Sequence, residues 1–81
     1  MLTELKNSAK VVGAKQVKRV LSDGRARKVF LAHDADPRVT EPIQALSEEK
    51  GIPVCEVPAM RELGAACGIA VGAAVAAVIG E

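Results

Sequence analysis

The sequence predicts an α/β fold, with a small sheet of about four strands covered by helices on both faces. Along the chain, apolar runs of strand length alternate with segments of helical periodicity. The chain has 81 residues, which is the length of one domain, and 49% of them are hydrophobic, enough to form a core. Fourteen of these are alanine, so the core is expected to be closely packed from small side chains.

The spacing of apolar residues predicts the helices and strands of the first half of the chain. Apolar residues recur at helical spacing over 2–9, which predicts a short first helix, and 11–12 is then a short strand. The segment 14–22 is an amphipathic helix that Gly24 ends, because glycine readily adopts the left-handed conformation found there. Residues 28–32 form a strand, and its continuous apolar run over 29–32 predicts burial on both faces.

The middle of the chain contains two prolines that suggest helix and turn boundaries. Asp36 and Pro37 predict a turn. Pro42 suits the first turn of a helix capped by Thr40, and Gly51 ends that helix.

The last third of the chain is expected to contribute two strands. Residues 52–57 form the third strand, and Pro53 places its start at or near a sheet edge. A helix from residue 60 ends at Gly68. The stretch 65–80 is uncharged over 16 residues, fewer than the roughly 20 needed to span a bilayer, and it contains three glycines. A tight loop before a buried strand is therefore the better interpretation.

Charge is strongly separated along the chain. Residues 1–30 carry a net +6 and residues 31–81 a net −5, although the whole chain carries only +1. This separation predicts a basic face that binds an anion, the alternative being a solvated surface with chance clustering. The one aromatic residue, Phe30, excludes single-strand binding through stacked aromatic platforms.

The cysteines and the N-terminus suggest a cytoplasmic protein. Cys55 and Cys67 lack the CxxC spacing and are expected to be buried thiols in a reducing compartment. Glu4 and Lys6 are charged, which argues against a signal peptide.

Catalytic and metal chemistry find little support in the sequence. His33, Asp34 and Asp36 could suggest a metal site, but no fourth ligand is near them in sequence. A strand end followed by aspartates that cap backbone N–H groups is the favoured interpretation. Because no motif surrounds either cysteine, the protein is expected to be neither an enzyme nor a cofactor carrier.

The first candidate binding site is the start of the basic helix. Glycine permits a sharp turn from strand into helix, where free N–H groups favour anions. Cations at i and i+4 and an amide between them are suited to phosphates and base edges, the alternative being an ordinary solvated face. No phosphate-loop or dinucleotide motif is present. The candidate residues are Gly13, Ala14, Lys15, Gln16, Lys18 and Arg19.

A second basic cluster follows that helix. Arg25, Arg27 and Lys28 enter the next strand from the end of the sheet where the helix ends. They would extend a track of phosphate contacts, although three exposed charges at a turn are also common.

The third candidate is an apolar loop flanked by glycines. Its tip would pack against an unstacked base without reading hydrogen-bonding groups, or it would face the core before the last strand. The residues are Gly68, Ile69, Ala70 and Val71.

These segments together resemble the large-subunit ribosomal protein L-seven-Ae family, which binds RNA kink-turns. The resemblance is carried by 12–17, by 29–37 with its His-Asp-Ala-Asp-Pro ending, and by 62–69 with Glu-Leu-Gly and Ala-Cys-Gly-Ile. It implies a three-layer α/β/α sandwich with a mixed sheet of about four strands. The Lys-Gln pair is similar to that of the short bacterial members.

The resemblance also implies roles for the candidate residues. The family contacts guanines of tandem sheared G·A pairs at the positions of Lys15, Gln16 and Arg19. It covers looped-out bases with the loop that corresponds to 68–71. Arg19 replaces an expected lysine, Ala70 a frequent glutamate and Ala65 a frequent lysine. These departures affect the loop contact more than the helix contact.

We therefore expect a monomeric, cytoplasmic RNA-binding protein, formed by residues 1–81 as one domain and associated with ribosomal RNA, a riboswitch or a leader RNA. No DNA, membrane, metal or cofactor is expected as a partner. One alternative is a protein-interaction module that docks through the acidic half and the C-terminal strand. Another is a nucleotide-binding half-domain.

Overall fold

A computed structural model describes the backbone of residues 2–80 and the side chains of residues 5–80. The four strands form one mixed sheet in the order β1-β4-β2-β3. β4 is antiparallel to both β1 and β2, whereas β3 is parallel to β2. The elements are α1 (Leu2–Asn7), β1 (Lys10–Val12), α2 (Ala14–Ser22), β2 (Ala26–Ala32), α3 (Pro37–Glu49), β3 (Val54–Val57), α4 (Met60–Ala66) and β4 (Val75–Ile79).

The sheet separates two apolar clusters, so the molecule has three layers. On one face Phe30 and Ala76 pack with Leu63 of α4 and with α1. On the other face Val29 and Ala77 pack with the buried side chains of α2 and α3. The predicted α/β/α sandwich is confirmed, and so is burial of both faces of β2, where all four residues from 29 to 32 are buried.

The start of α3 differs from the prediction. The helix begins at Pro37, and Asp36 is its N-cap, accepting a hydrogen bond from the Arg38 N–H at 2.9 Å. Thr40 and Pro42 lie inside the helix and do not begin it. Proline is favoured at the first helical position because it lacks an N–H that would have no partner there, and an aspartate before it is a stronger cap than threonine.

Other boundaries also differ. α1 ends at Asn7, so Ala9 lies outside the helix and is exposed. β2 begins two residues before the predicted strand, and β3 begins at Val54 rather than at residue 52. Pro53 precedes β3, and β3 is an edge strand, as its proline predicts.

Both cysteines are free thiols, partly buried against the α1–α4 side of the sheet. Burial raises the pKa of the Cys67 thiol, although the nearby charge of Lys10 acts in the opposite direction. Within residues 2–80, no helix is long and apolar enough to cross a bilayer.

We expect the capping carboxylate of Asp36 to contribute to stability only above acidic pH. The Arg38 guanidinium and the Arg38 N–H lower the pKa of Asp36 below its usual value. A carboxyl with a lowered folded-state pKa stabilises the fold above its unfolded-state pKa and loses that contribution as pH falls through the folded-state pKa. Asp36→Ala should therefore lower Tm at pH 7 more than at pH 2. Asp23→Ala, at an exposed helix end, is the control, and equal Tm losses for Asp36→Ala at both pH values would contradict the assignment.

Candidate nucleic-acid interface

Gly13 joins β1 to α2 in a conformation that other residues avoid. Its φ of 101° and ψ of 148° lie in a region used almost only by glycine. Its N–H donates to the Val75 carbonyl at 3.0 Å, and its carbonyl accepts from the Val17 N–H at 3.0 Å. The start of α2 is thereby fixed against the start of β4.

The outer face of α2 carries cations that make no ion pair with the described residues. Val17, Val20 and Leu21 are buried, which leaves the opposite face in solvent. The first turn contains no acidic residue, and no side chain caps it. A shallow depression of about 320 Å³ lies on this face, and within the described part of the chain none of its lining side chains makes an ion pair. The depression is lined by Lys15, Gln16, Lys18, Arg19 and Ser22.

A second depression lies between α2 and α3 and was not foreseen. Its volume is about 310 Å³, and its floor is largely apolar. Ala14 and Ile43 lie in the floor, while Lys15, Lys18 and Arg38 contribute charge. The sequence interpretation missed Arg38 because it began the helix after this residue, at a Thr40 cap. The Asp-Pro-Arg sequence is also typical of an N-cap followed by the first two residues of a helix, and this interpretation would have placed Arg38 in α3.

The loop after α4 presents its apolar tip to solvent. Val71 is 70% exposed and Ile69 is 38% exposed, and these are the exposed large hydrophobic side chains of residues 5–80. The loop is tied to α4, because the Ile69 N–H donates to the Gly64 carbonyl at 3.1 Å. A Cβ added at Gly64 would overlap the Val71 carbonyl oxygen. The core-facing interpretation of this loop is therefore wrong for Val71.

The start of α2 and this loop lie at the same end of the sheet. The Ala32 N–H, at the end of β2, donates to the Ala74 carbonyl at 2.9 Å, just before β4 begins. Gly13 bonds to Val75 beside it. The structure thus places the start of α2 and the segment between the loop and β4 at one end of the sheet.

Arg27 and Lys28 do not join that surface. They lie at the start of β2, near the end of α2, as the connectivity predicts. β2 has seven residues, so its two ends are about 20 Å apart. Arg27 is exposed, whereas Lys28 is half-buried with its ammonium 5.6 Å from the centre of the Phe30 ring.

The His-Asp-Ala-Asp segment organises helix starts. An Asp34 carboxylate oxygen accepts from the Met60 N–H at 2.8 Å at the start of α4, and Asp36 caps α3. His33 Nδ1 lies 3.3 Å from a Glu56 carboxylate oxygen, and both side chains are exposed. The capping interpretation of this segment is confirmed, and the described residues contain no cluster of potential metal ligands.

The position of β4 corrects the alternative of docking through the C-terminal strand. β4 lies between β1 and β2 and pairs with both. Because its backbone groups face two neighbouring strands, it offers no free edge to a partner.

The fold, the glycine-initiated basic helix and the α4 loop define a family. The chain belongs to the ribosomal protein L7Ae/L30e/S12e/Gadd45 family, whose model matches residues 2–81.

Individual relatives are similar over most of the chain. An RNA-binding protein of Caldanaerobacter subterraneus subsp. tengcongensis is 47% identical over 73 residues, covering 89% of each chain. RNA-binding protein YbxF of Geobacillus stearothermophilus is 44% identical over 69 residues, 85% of this chain and 84% of its own. Among solved structures, a Giardia lamblia 15.5kD RNA binding protein superposes with a TM-score of 0.92 at 28% identity, covering 99% of this chain and 71% of that one.

Proposed function

We propose that this protein binds structured RNA without catalysing a reaction, and that the feature it recognises is a kink-turn. The observation that carries the proposal is that the cationic helix α2 begins at the same end of the sheet as an exposed apolar loop. Relatives named as RNA-binding proteins support the RNA partner. The resemblance of residues 12–17 and 62–69 to kink-turn binders supports the narrower motif.

The α2 face supplies both charge and base-edge recognition. A sharp bend brings RNA phosphates close together, and cations that displace counterions offset their repulsion. Arg19 presents a planar guanidinium, which matches two acceptors of guanine, and the Gln16 amide can donate and accept at a base edge. Lys15 and Lys18 act as point charges toward phosphates.

The loop supplies contact area rather than hydrogen bonds. Ile69 and Val71 carry no polar atoms on their side chains, so they cannot distinguish bases by their edges. They would remove the faces of unstacked bases from water by apolar contact. A bent RNA can contact the α2 face and the loop at the same time, whereas a straight duplex offers no unstacked base to the loop.

The first experiment replaces the tandem sheared G·A pairs of a kink-turn RNA by Watson–Crick pairs of the same length. We expect affinity, measured by fluorescence anisotropy, to fall sharply, because the straightened duplex loses the widened groove and the looped-out bases. The intact motif should also lose affinity steeply with added salt. Unchanged affinity after the replacement would leave only a generic basic surface.

Gln16→Ala and Arg19→Ala should each weaken kink-turn binding by about 1–3 kcal/mol, as base-edge contacts do. Both side chains are exposed and unpaired within the described chain, so the fold should be unaffected. Lys6→Ala, on exposed α1, is the control and should cost little for any RNA. If net charge alone matters, Arg19→Ala and Lys6→Ala should cost the same and the neutral Gln16→Ala should cost nothing.

The remaining features of the proposal concern the protein as a whole. We propose that it acts in the cytoplasm as a monomer and that its 81 residues form one RNA-binding unit. Ribosomal RNA, a riboswitch or a leader RNA would each present the same motif. A DNA copy of the kink-turn sequence should bind poorly, because it lacks the 2′-hydroxyls of the motif.

A further inference from the structure

The end of the sheet opposite to the loop carries a second basic surface. An open depression of about 590 Å³ lies there. None of the described residues that line it is acidic. Its lining residues are Ser8, Ala9, Arg27, Lys28, Pro53, Val78 and Ile79.

Arg27 is placed there by an irregularity in the sheet. The register between β2 and β4 shifts between Ala26 and Lys28, so Arg27 is the extra residue of a bulge. Bulges redirect a side chain away from the regular alternation of a strand. The Arg27 side chain then lies across Gly80, where an added Cβ would overlap its Cδ and approach its Cγ to 3.0 Å.

Further positive charge surrounds Arg27. Lys10 and Lys28 both pair with Val78, one from each neighbouring strand, so the three residues form one row across the sheet. The Lys10 ammonium donates to the Ser8 carbonyl at 3.4 Å, which holds it beside the depression. The backbone of a further cationic residue, Arg25, lies beside Gly80, because its carbonyl accepts from the Gly80 N–H at 2.9 Å. Arg27 makes no side-chain hydrogen bond or ion pair with the residues described.

We propose that this surface, centred on Arg27, binds the phosphate backbone of a second RNA segment, remote from the kink. The inference rests on the proposed RNA-binding function. The length of β2 separates Arg27 from the end of the sheet that carries the loop by about 20 Å. A guanidinium suits two oxygens of one phosphate, and ammonium groups around it suit neighbouring phosphates. Among the described lining residues none has a planar amide or an aromatic group for a base, so this contact should be independent of sequence.

The test uses the full chain labelled with ¹⁵N and two RNA probes. One is a kink-turn with short arms, and the other is a fully Watson–Crick RNA duplex. The duplex should shift the amide signals of Arg27 and Gly80, while the kink-turn should shift those of Lys15, Gln16 and Val71. If the kink-turn leaves the signals of Lys15, Gln16 and Val71 unchanged, the proposed function is contradicted. If the duplex leaves those of Arg27 and Gly80 unchanged, the inference is contradicted.

Variants then separate a specific site from net charge. Arg27→Glu should weaken duplex binding about fivefold or more and reduce its salt dependence by about one phosphate contact, leaving short-arm kink-turn binding within about twofold. The milder Arg27→Gln should act in the same direction. Lys50→Glu makes the same charge change at an exposed residue that does not line the depression, so duplex binding should stay near that of the wild type. Equal losses in Arg27→Glu and Lys50→Glu would overturn the site.

Discussion

Gly64→Ala should disrupt the loop that follows α4 and weaken RNA binding strongly. An alanine Cβ at this position would overlap the backbone carbonyl oxygen of Val71, which cannot move away by changing rotamer. The loop must therefore move as a whole. Overpacking at such a contact costs about 1–3 kcal/mol of the free energy of unfolding, even though alanine is the better helix former by about 1 kcal/mol.

The consequences of this substitution extend to the loop's other contact with α4. The Ala73 N–H donates to the Met60 carbonyl at 3.0 Å, and a shifted loop should lose this bond. Faster hydrogen exchange at Ala73, together with weaker kink-turn binding, is the expected pair of observations. Ala65→Gly, at the exposed neighbouring position, tests helix propensity alone and should leave the loop in place. A Gly64→Ala protein with wild-type exchange and affinity would show that the loop is not positioned by this contact.

The sequence predicts those elements whose signals are local. The continuous apolar run of 29–32 indicates a central strand, because its side chains need burial on both faces. Pro53 indicates an edge strand, because proline lacks the N–H that a neighbouring strand would bind. Gly13 indicates the turn into α2, since its conformation is required at that one residue. The start of α3 is misplaced because Pro37 and Pro42 both suit a first helical turn and only Asp36 distinguishes them.

The arrangement of the candidate site depends on pairings between distant residues. The position of β4 in the middle of the sheet excludes the docking edge. The apolar run of 75–79 is as continuous as that of 29–32, but it does not reveal which strands flank it. The antiparallel pairing of β2 with β4 also places Arg27 at the end of the sheet opposite to the loop. The α2 residues and the loop residues are identified individually from the sequence, but their common location follows only from strand order. For that reason the sequence suggests one long basic track where the structure shows two surfaces.

The exposed loop tip provides the sharpest separation of binding from folding. Val71→Asp places a carboxylate at a side chain that is 70% exposed, so the free energy of unfolding should change little. Binding should lose the apolar contact with an unstacked base, about 1.5–3 kcal/mol, and should also meet repulsion from phosphates. Kink-turn affinity would fall by one to two orders of magnitude or more, on the scale of about 1.4 kcal/mol per factor of ten.

Ile69→Asp tests the other apolar side chain of the tip, and it should differ from Val71→Asp in its effect on stability. Ile69 is only 38% exposed, so its substitution should weaken binding and also destabilise the fold, by more than Val71→Asp does. Chemical denaturation and anisotropy on both variants, with Val71→Thr as a control of similar shape, measure the two effects separately. If Val71→Asp binds kink-turn RNA as the wild type does, the loop contributes nothing to recognition. The outer face of α2 must then account for kink-turn binding without it.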